Sequence, residues 1–335
     1  MATMKDVAQL AGVSTATVSR ALMNPNKVSD ATKKRIEEAV LESGYAPNSL
    51  ARNLRRNESK TIVAIVPDIC DPYYTEIIRG VKDAAMANGY LVLLGDSERQ
   101  KGRESSFMNL VFTKQTDGIL LLGTELPFAV CKSQKKNLPP MVMACEFSPE
   151  MELPTVHIDN LTSAFEAVNY LTQMGHRRIA QISGPSHTFL CQFRQQGYQQ
   201  ALRRVGVNAR ADYSVEGDFS FTAGAEAMET LLALPEPPTA VFCHNDTMAI
   251  GALQAAKKSG FRVPDDLSII GFDDITFAQY CDPPLTTIAQ PRYDIGYQAM
   301  LMMLDRLRGH QVRVGSRLLE TELVVRQSVA APRQT

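Results

Sequence analysis

Five residues near the N-terminus, Thr15, Ala16, Thr17, Ser19 and Arg20, carry short hydroxyls, a methyl and one guanidinium. That is the chemistry that reads base edges and phosphates in a major groove. They lie in MKDVAQLAGVSTATVSRAL, residues 4–22. Met4, Val7, Ala8 and Ala11 recur there at helical spacing, and Gly12 breaks the pattern. Ser14 stands where its oxygen can cap a second helix whose apolar face is Val18, Ala21 and Leu22. The spacing predicts a helix-turn-helix, with an ordinary helical hairpin of polar surface as the alternative.

A second group sits in YAPNSLARNLRR, residues 45–56, where Leu50 and Leu54 share one helical side and Arg52, Arg55 and Arg56 take the others. A helix this short is marginal in water, so it should order only when something holds it. With its leucines it can pair with its twin and press an apolar wedge between base steps.

A third group follows the ends of apolar runs further along: Tyr73 and Tyr74, Glu146 and Phe147, Asp159 and Asn160, Asn245 and Asp246, Asp273 and Asp274. Phe219 in EGDFSF and Arg194, placed at the opening of the helix RQQGYQQALRR, join them. Rings that cover a flat face, with charged acceptors and donors that grip vicinal hydroxyls, suit a polyol or a nucleoside. Each has a structural alternative: Tyr74 as helix packing, Asp159 and Asp246 as helix caps.

The elements that must position these residues are legible in the hydropathy. Ser29 and Asp30 open a third helix with Ile36, Ala39 and Val40 inward, closed by Gly44. From residue 61 short apolar runs alternate with helix-length amphipathic stretches. The runs are TIVAIVP (61–67), YLVLLGD (90–96), GILLLG (118–123), PMVMACE (140–146), TVHID (155–159), RIAQISG (178–184), TAVFCHND (239–246) and SIIGFDD (268–274). Strands buried on both faces between helices predict doubly wound parallel sheets. A body of this length suits two α/β subdomains with a ligand cleft between them, and in such sheets ligands sit beyond the carboxyl ends of the strands.

Composition narrows the class. Residues 1–60 hold ten Lys and Arg against six acids, while the remainder holds 25 against 30, so a basic head precedes an acidic body. No apolar run is long enough to span a membrane and the N-terminus lacks a signal-peptide block, which leads to the expectation of a soluble, cytoplasmic protein. The cysteines at 70, 131, 145, 191, 243 and 281 form no CxxC pair and read as reduced, packed thiols. GxxxxGK[ST], HExxH and GxSxG are absent, and the histidines at 157, 176, 187, 244 and 310 lack metal spacing, so neither an enzyme nor a metal or cofactor is expected. A solute-binding protein and a nucleoside-processing enzyme are the rival readings; the basic head disfavours the first and the missing motifs the second.

The chain resembles the LacI/GalR family of repressors over nearly its whole length. The likeness is carried by DVAQLAGVSTATVSRALMN (6–24), VSDATKKRIEEAVLESGYAPN (28–48), GHRRIAQISG (175–184), TAVFCHNDTMAIGAL (239–253) and VPDDLSIIGFDDI (263–275). Within the family, IVPDICDP, LPTVHIDNLT and CDPPLTTIAQPRY look most like a cytidine-responsive branch. The resemblance implies a dimer that represses nucleoside uptake and catabolism genes, with Thr15, Ala16 and Arg20 reading bases. It implies that Leu54 enters the minor groove at the operator centre and that Arg55 follows as a groove contact.

It further implies a periplasmic-binding-protein-like core, expected as 60–159 with 290–321 and 160–289 with 322–335, after a head at 1–47 and a hinge at 48–59. Tyr73, Phe219 and Asp273 match effector-holding positions, with Arg194 as their polar partner. SHTFLC (186–191) departs from purine-responsive relatives, which leaves a pyrimidine nucleoside ahead of a purine or a sugar. By similarity the effector is cytidine, acting as inducer, and the DNA-bound partner is the cyclic-AMP receptor protein.

Overall fold

A computed structural model describes residues 2–45, 58–100, 103–123, 138–146, 153–309 and 315–333. The chain divides into a compact unit over Met1–Ser59 and a second over Lys60–Thr335. Leu54, Arg55 and Phe147 lie outside the described residues.

Among the described residues, the first unit packs three α-helices: α1 (Met4–Leu10), α2 (Thr15–Met23) and α3 (Asp30–Ser43). α1 begins where Asp6 Oδ2 accepts from the Thr3 amide at 2.7 Å and the Thr3 hydroxyl at 2.9 Å, so two polar groups of the helix start satisfy each other. Gly12 takes φ +61° at the turn, a left-handed conformation that costs glycine least. Ser14 then caps α2, its Oγ accepting from the Thr17 amide at 3.1 Å. α3 ends on Gly44, again left-handed. Val7, Val18 and Ile36, one from each helix, are essentially fully buried and join Ala8, Ala11, Ala21 and Ala39 in one apolar centre. Side chains this small let the helices approach closely.

Among the described residues, the second unit holds two six-stranded sheets. The first runs β11-β5-β4-β3-β1-β2, entirely parallel, from β1 (Thr61–Val66), β2 (Leu91–Asp96), β3 (Gly118–Leu122), β4 (Met141–Ala144), β5 (Thr155–Ile158) and β11 (Ser316–Leu319). The second runs β12-β10-β9-β8-β6-β7, from β6 (Ile179–Ser183), β7 (Ser214–Glu216), β8 (Ala240–Cys243), β9 (Ser268–Asp273), β10 (Thr286–Ala289) and β12 (Glu322–Val324). It departs from the expected all-parallel pattern at one edge, where β12 pairs antiparallel with β10. β12 enters this sheet directly from β11 of the first sheet rather than by a helical crossover from a strand of its own sheet.

Helices follow the strands: α4 (Tyr74–Ala87), α5 (Arg103–Phe112), α6 (Asn160–Gln173), α7 (Phe189–Arg204), α8 (Phe221–Leu232), α9 (Asp246–Lys258) and α10 (Arg292–Leu307). α10 returns to the first sheet and packs on α4. A Cβ at Gly80 would strike the Tyr293 carbonyl and one at Gly296 the Ile77 carbonyl, so only glycine permits this contact. In each sheet the strand order reverses once, at β1/β3 and at β6/β8, the points beyond whose carboxyl ends ligands bind in open α/β sheets.

β2 corrects one expectation. YLVLLGD reads as buried on both faces, yet Leu91, Leu93 and Leu94 are exposed, Leu91 by 70%. β2 is the sheet's last strand, so it has a neighbour on one side only.

Candidate functional site

In the first unit, α2 presents Thr15 and Ala16 to solvent in its first turn and Arg20 in its last. Thr17 is only half exposed, and its hydroxyl shares a hydrogen bond of 2.9 Å with Ser14 Oγ. It therefore belongs partly to the cap rather than wholly to the outward face. Half-buried Ser19 turns its hydroxyl to Met23 Sδ at 3.9 Å. What is left on the surface is a methyl and a threonine hydroxyl at the N-terminus of α2, whose partial positive charge favours phosphate, and a guanidinium in its last turn.

In the second unit, four side chains from separate elements form one polar chain. Tyr73, preceding α4, donates its hydroxyl to Gln290 Oε1 at 3.0 Å. Gln290 Nε2 donates in turn to Asp273 Oδ1 at 2.7 Å. Arg194 Nη2 lies 4.0 Å from the same carboxylate oxygen. Arg194 is buried on α7: its Nε donates to Asn160 Oδ1 at 2.8 Å, Nη1 donates to the His244 carbonyl, and the guanidinium carbon lies 3.7 Å from the Phe272 ring centroid. α7 begins at Phe189, so Arg194 sits in its second turn and not at the helix opening expected from RQQGYQQALRR. The helix starts earlier because FLC of SHTFLC forms its first turn, with Cys191 buried and Phe189 and Leu190 half-buried.

Burial dominates the electrostatics here. It pushes the Asp273 carboxyl up to about 7, against the Arg194 charge, which lowers it, and with the Asp71 charge, which raises it. Burial also holds the Tyr73 phenol well above its ordinary range and lifts the neighbouring Cys145 thiol to about 12. Asp273 has φ +113° and Asp274 φ +54°, left-handed backbone that aspartate adopts at a cost. Three contacts hold this turn: Gln290 on Asp273, Arg292 donating to the Asp274 carbonyl at 2.6 Å, and Arg326 paired with Asp274 Oδ1 at 2.7 Å.

Phe219, also left-handed at φ +72°, lays its ring against Gly184, where any Cβ would collide with it. Asn245 Nδ2 donates to the Phe219 carbonyl at 3.2 Å, and Asn245 Oδ1 caps α9 through the Met248 amide at 2.9 Å. Both of its polar atoms thus have structural duties. Asp159 likewise caps α6, accepting from the amides of Leu161 and Thr162 at 3.1 and 3.0 Å and from the Thr162 hydroxyl at 2.7 Å. Asp246 is not a cap: buried one residue into α9, it accepts from the Ile275 amide at 2.9 Å and the Thr287 hydroxyl at 2.6 Å. Tyr74 is buried in the apolar core, its ring edge-on to Tyr73 at 5.0 Å. The structure therefore gathers Tyr73, Arg194 and Asp273 in one network and gives Tyr74 and Asp159 packing and capping tasks.

Gln290, the link at the centre, is absent from the sequence reading. Its signal was available: it immediately follows β10, as Asp273 ends β9. TTIA was too short an apolar run to be read as a strand.

A model of bacterial regulatory proteins of the lacI family matches residues 3–48, and a model of the periplasmic binding protein-like domain matches residues 168–329. The HTH-type transcriptional repressor CytR of Escherichia coli (strain K12) is 61% identical over 330 residues, 98% of this chain and 97% of that protein. The ribose operon repressor of the same strain is 38% identical over 92% of this chain and 93% of its own. Among solved structures, the lac repressor dimer bound to operator and the anti-inducer ONPF matches with TM-score 0.87 and 27% identity, covering 98% of this chain and 99% of that one.

Proposed function

Since the chain belongs to the LacI family of DNA-binding transcriptional repressors, and is not an enzyme, we propose that it controls nucleoside uptake and catabolism genes and is induced by cytidine. The effector binds in the crevice lined by Tyr73, Phe219, Asp273 and Arg194, between the two subdomains of the second unit. Asp273 and Arg194 grip the vicinal ribose hydroxyls, and Tyr73 and Phe219 cover the flat faces. The observation that carries this reading is the Tyr73–Gln290–Asp273–Arg194 chain, in which a buried carboxylate and a buried guanidinium are linked to the Tyr73 phenol. The 61% identity to a repressor named CytR supports cytidine over a sugar or a purine.

Thr15, Ala16, Thr17 and Arg20 contact operator DNA in the major groove, and Leu54 and Arg55 contact the minor groove at its centre. The protein acts as a homodimer in the cytoplasm, supported by the likeness to a repressor dimer on its operator and by the unpaired apolar edge of β2. No helix among the described residues is long and apolar enough to cross a membrane. The cyclic-AMP receptor protein is the proposed DNA-bound partner. Asn245, Tyr74 and Asp159 support the effector site through the loops they brace.

Cytidine lowers operator affinity only to the extent that it prefers one closure state of the cleft over the other. Lys and Arg contacts to phosphate supply much of the DNA affinity, which should fall steeply with salt. Leu54→Ala should weaken operator binding about tenfold, the wedge being lost, while the cytidine Kd stays unchanged. Fluorescence anisotropy at one salt concentration checks the first and calorimetry the second. A calorimetric panel of nucleosides, bases and pentoses tests the effector itself: cytidine should bind most tightly, and preference for ribose or a purine would replace it.

A further inference from the structure

A second, charged connection spans the cleft mouth and shares no residue with the Gln290 chain except through Tyr73. Asp71 lies two residues before Tyr73, and its Oδ1 accepts from the Tyr73 amide at 3.0 Å, which fixes the backbone that aims the Tyr73 ring. Its other oxygen, Oδ2, meets Arg99 Nη2 at 3.4 Å. Arg99 comes from the turn after β2 in the first subdomain and reaches the second, where its guanidinium carbon lies 5.8 Å from the Phe219 ring centroid. One path, entering Tyr73 through its backbone amide and reaching Phe219 through its ring, thus joins an aromatic on each wall.

Two observations separate this from an ordinary surface ion pair. The Asp71 side chain is only 10% exposed, and burial raises its carboxyl while the Arg99 charge lowers it. Backbone strain also concentrates along the path. Glu98 and Arg99 are successive left-handed residues, at φ +51° and +53°, and Phe219 is left-handed on the opposite wall. Such conformations persist when their surroundings impose them. Here the Glu98 amide donates to Asp96 Oδ1 at 2.9 Å, the Arg99 amide to the Pro67 carbonyl at 2.8 Å, and Asn245 to the Phe219 carbonyl at 3.2 Å. The turn therefore holds Arg99 outward and the opposing loop holds Phe219 toward it.

We propose that Asp71 and Arg99 are positioning residues that act as one strap across the effector cleft, setting Tyr73 and Phe219 at the separation that accepts the nucleoside base. The proposal rests on the effector reading above. The strap acts through its two aromatic ends, so Asp71 and Arg99 contribute to effector binding together rather than separately.

The test uses the full chain with Asp71→Asn, Arg99→Ala and the double variant, cytidine as probe, and backbone hydrogen exchange of the ligand-free proteins. Each single variant should raise the cytidine Kd about fivefold, and the double variant should raise it no further, because the two residues form one unit. Operator affinity without cytidine should stay at the wild-type value. Exchange in Arg99→Ala should quicken over both residues 69–73 and 217–221. Independent effects multiplying to about 25-fold in the double variant, or single variants binding as wild type, would overturn the strap. So would faster exchange confined to the turn at 97–100. If the wild-type chain binds no cytidine, the effector reading fails, and the exchange comparison alone then decides the strap.

Discussion

Asp273→Asn weakens cytidine binding ten- to a hundredfold at pH 8 and leaves operator affinity without nucleoside intact. Hydrogen bonds from ligand hydroxyls to a charged acceptor contribute about 1.5–3 kcal/mol each, and the amide retains shape but not charge. The pH dependence gives the sharper signature. With its carboxyl pushed up to about 7 by burial, Asp273 is mostly protonated at pH 6 and mostly ionised at pH 8. If the ionised form grips the hydroxyls, the wild-type cytidine Kd should tighten about tenfold over that interval, and the Asn variant should show no such slope.

Stability runs the other way. A carboxyl whose folded pKa is raised favours the folded state most below its unfolded pKa, near 4, and that contribution is lost as pH rises through about 7. Asp273→Asn should therefore melt no lower than wild type at pH 8. Calorimetry at pH 6, 7 and 8, with thermal unfolding of the same samples, checks both halves.

Arg20→Ala should reduce operator affinity about a hundredfold at fixed salt. A bidentate arginine contact to a base contributes about 1–3 kcal/mol of discrimination, and a dimer loses it in both half-sites. Arg20 is exposed on α2, where truncation removes little packing, so the folded head should be preserved. The loss should be much smaller on unrelated duplex DNA, and the salt slope should change little, because a base contact carries sequence preference while a phosphate contact carries salt dependence. Anisotropy titrations on operator and scrambled duplex at several salt concentrations measure all three. Equal losses on both DNAs, with a shallower slope, would assign Arg20 to phosphate.

The head was legible because its signals are local. Ser14, Gly12 and Gly44 act within one helical turn, and the buried Val7, Val18 and Ile36 show through periodicity. The central strands were legible for a similar reason: fully buried parallel strands need unbroken apolar runs, as β1, β3, β8 and β9 have. The edges were not. β7 and β12 hold three residues each, with exposed positions, and β2 keeps an apolar sequence while standing at an edge. The last case turns on strand order, since a periodicity argument cannot register which strand stands at the end of a sheet.

At the site, the rule that ligands gather beyond strand ends found Tyr73 and Asp273 but could not divide the residues there by task. Asp159 and Asn245 stand just past strand ends and also begin helices, and the Asp159 carboxylate and the Asn245 Oδ1 serve those helices. Asp246 and Arg194 needed the fold itself, since their partners Thr287 and Asn160 are 41 and 34 residues away in the chain. Such pairings follow from strand order, which composition does not encode.

The central claim is that a small molecule in the second unit governs the grip of the first on DNA. Labelled operator duplex, selected from a random pool, should be titrated with the full chain at one salt concentration, with and without saturating cytidine, and followed by fluorescence anisotropy. Operator Kd should rise with cytidine and return when the nucleoside is dialysed away. An operator Kd unmoved by cytidine under conditions where calorimetry shows the cleft occupied would contradict the account.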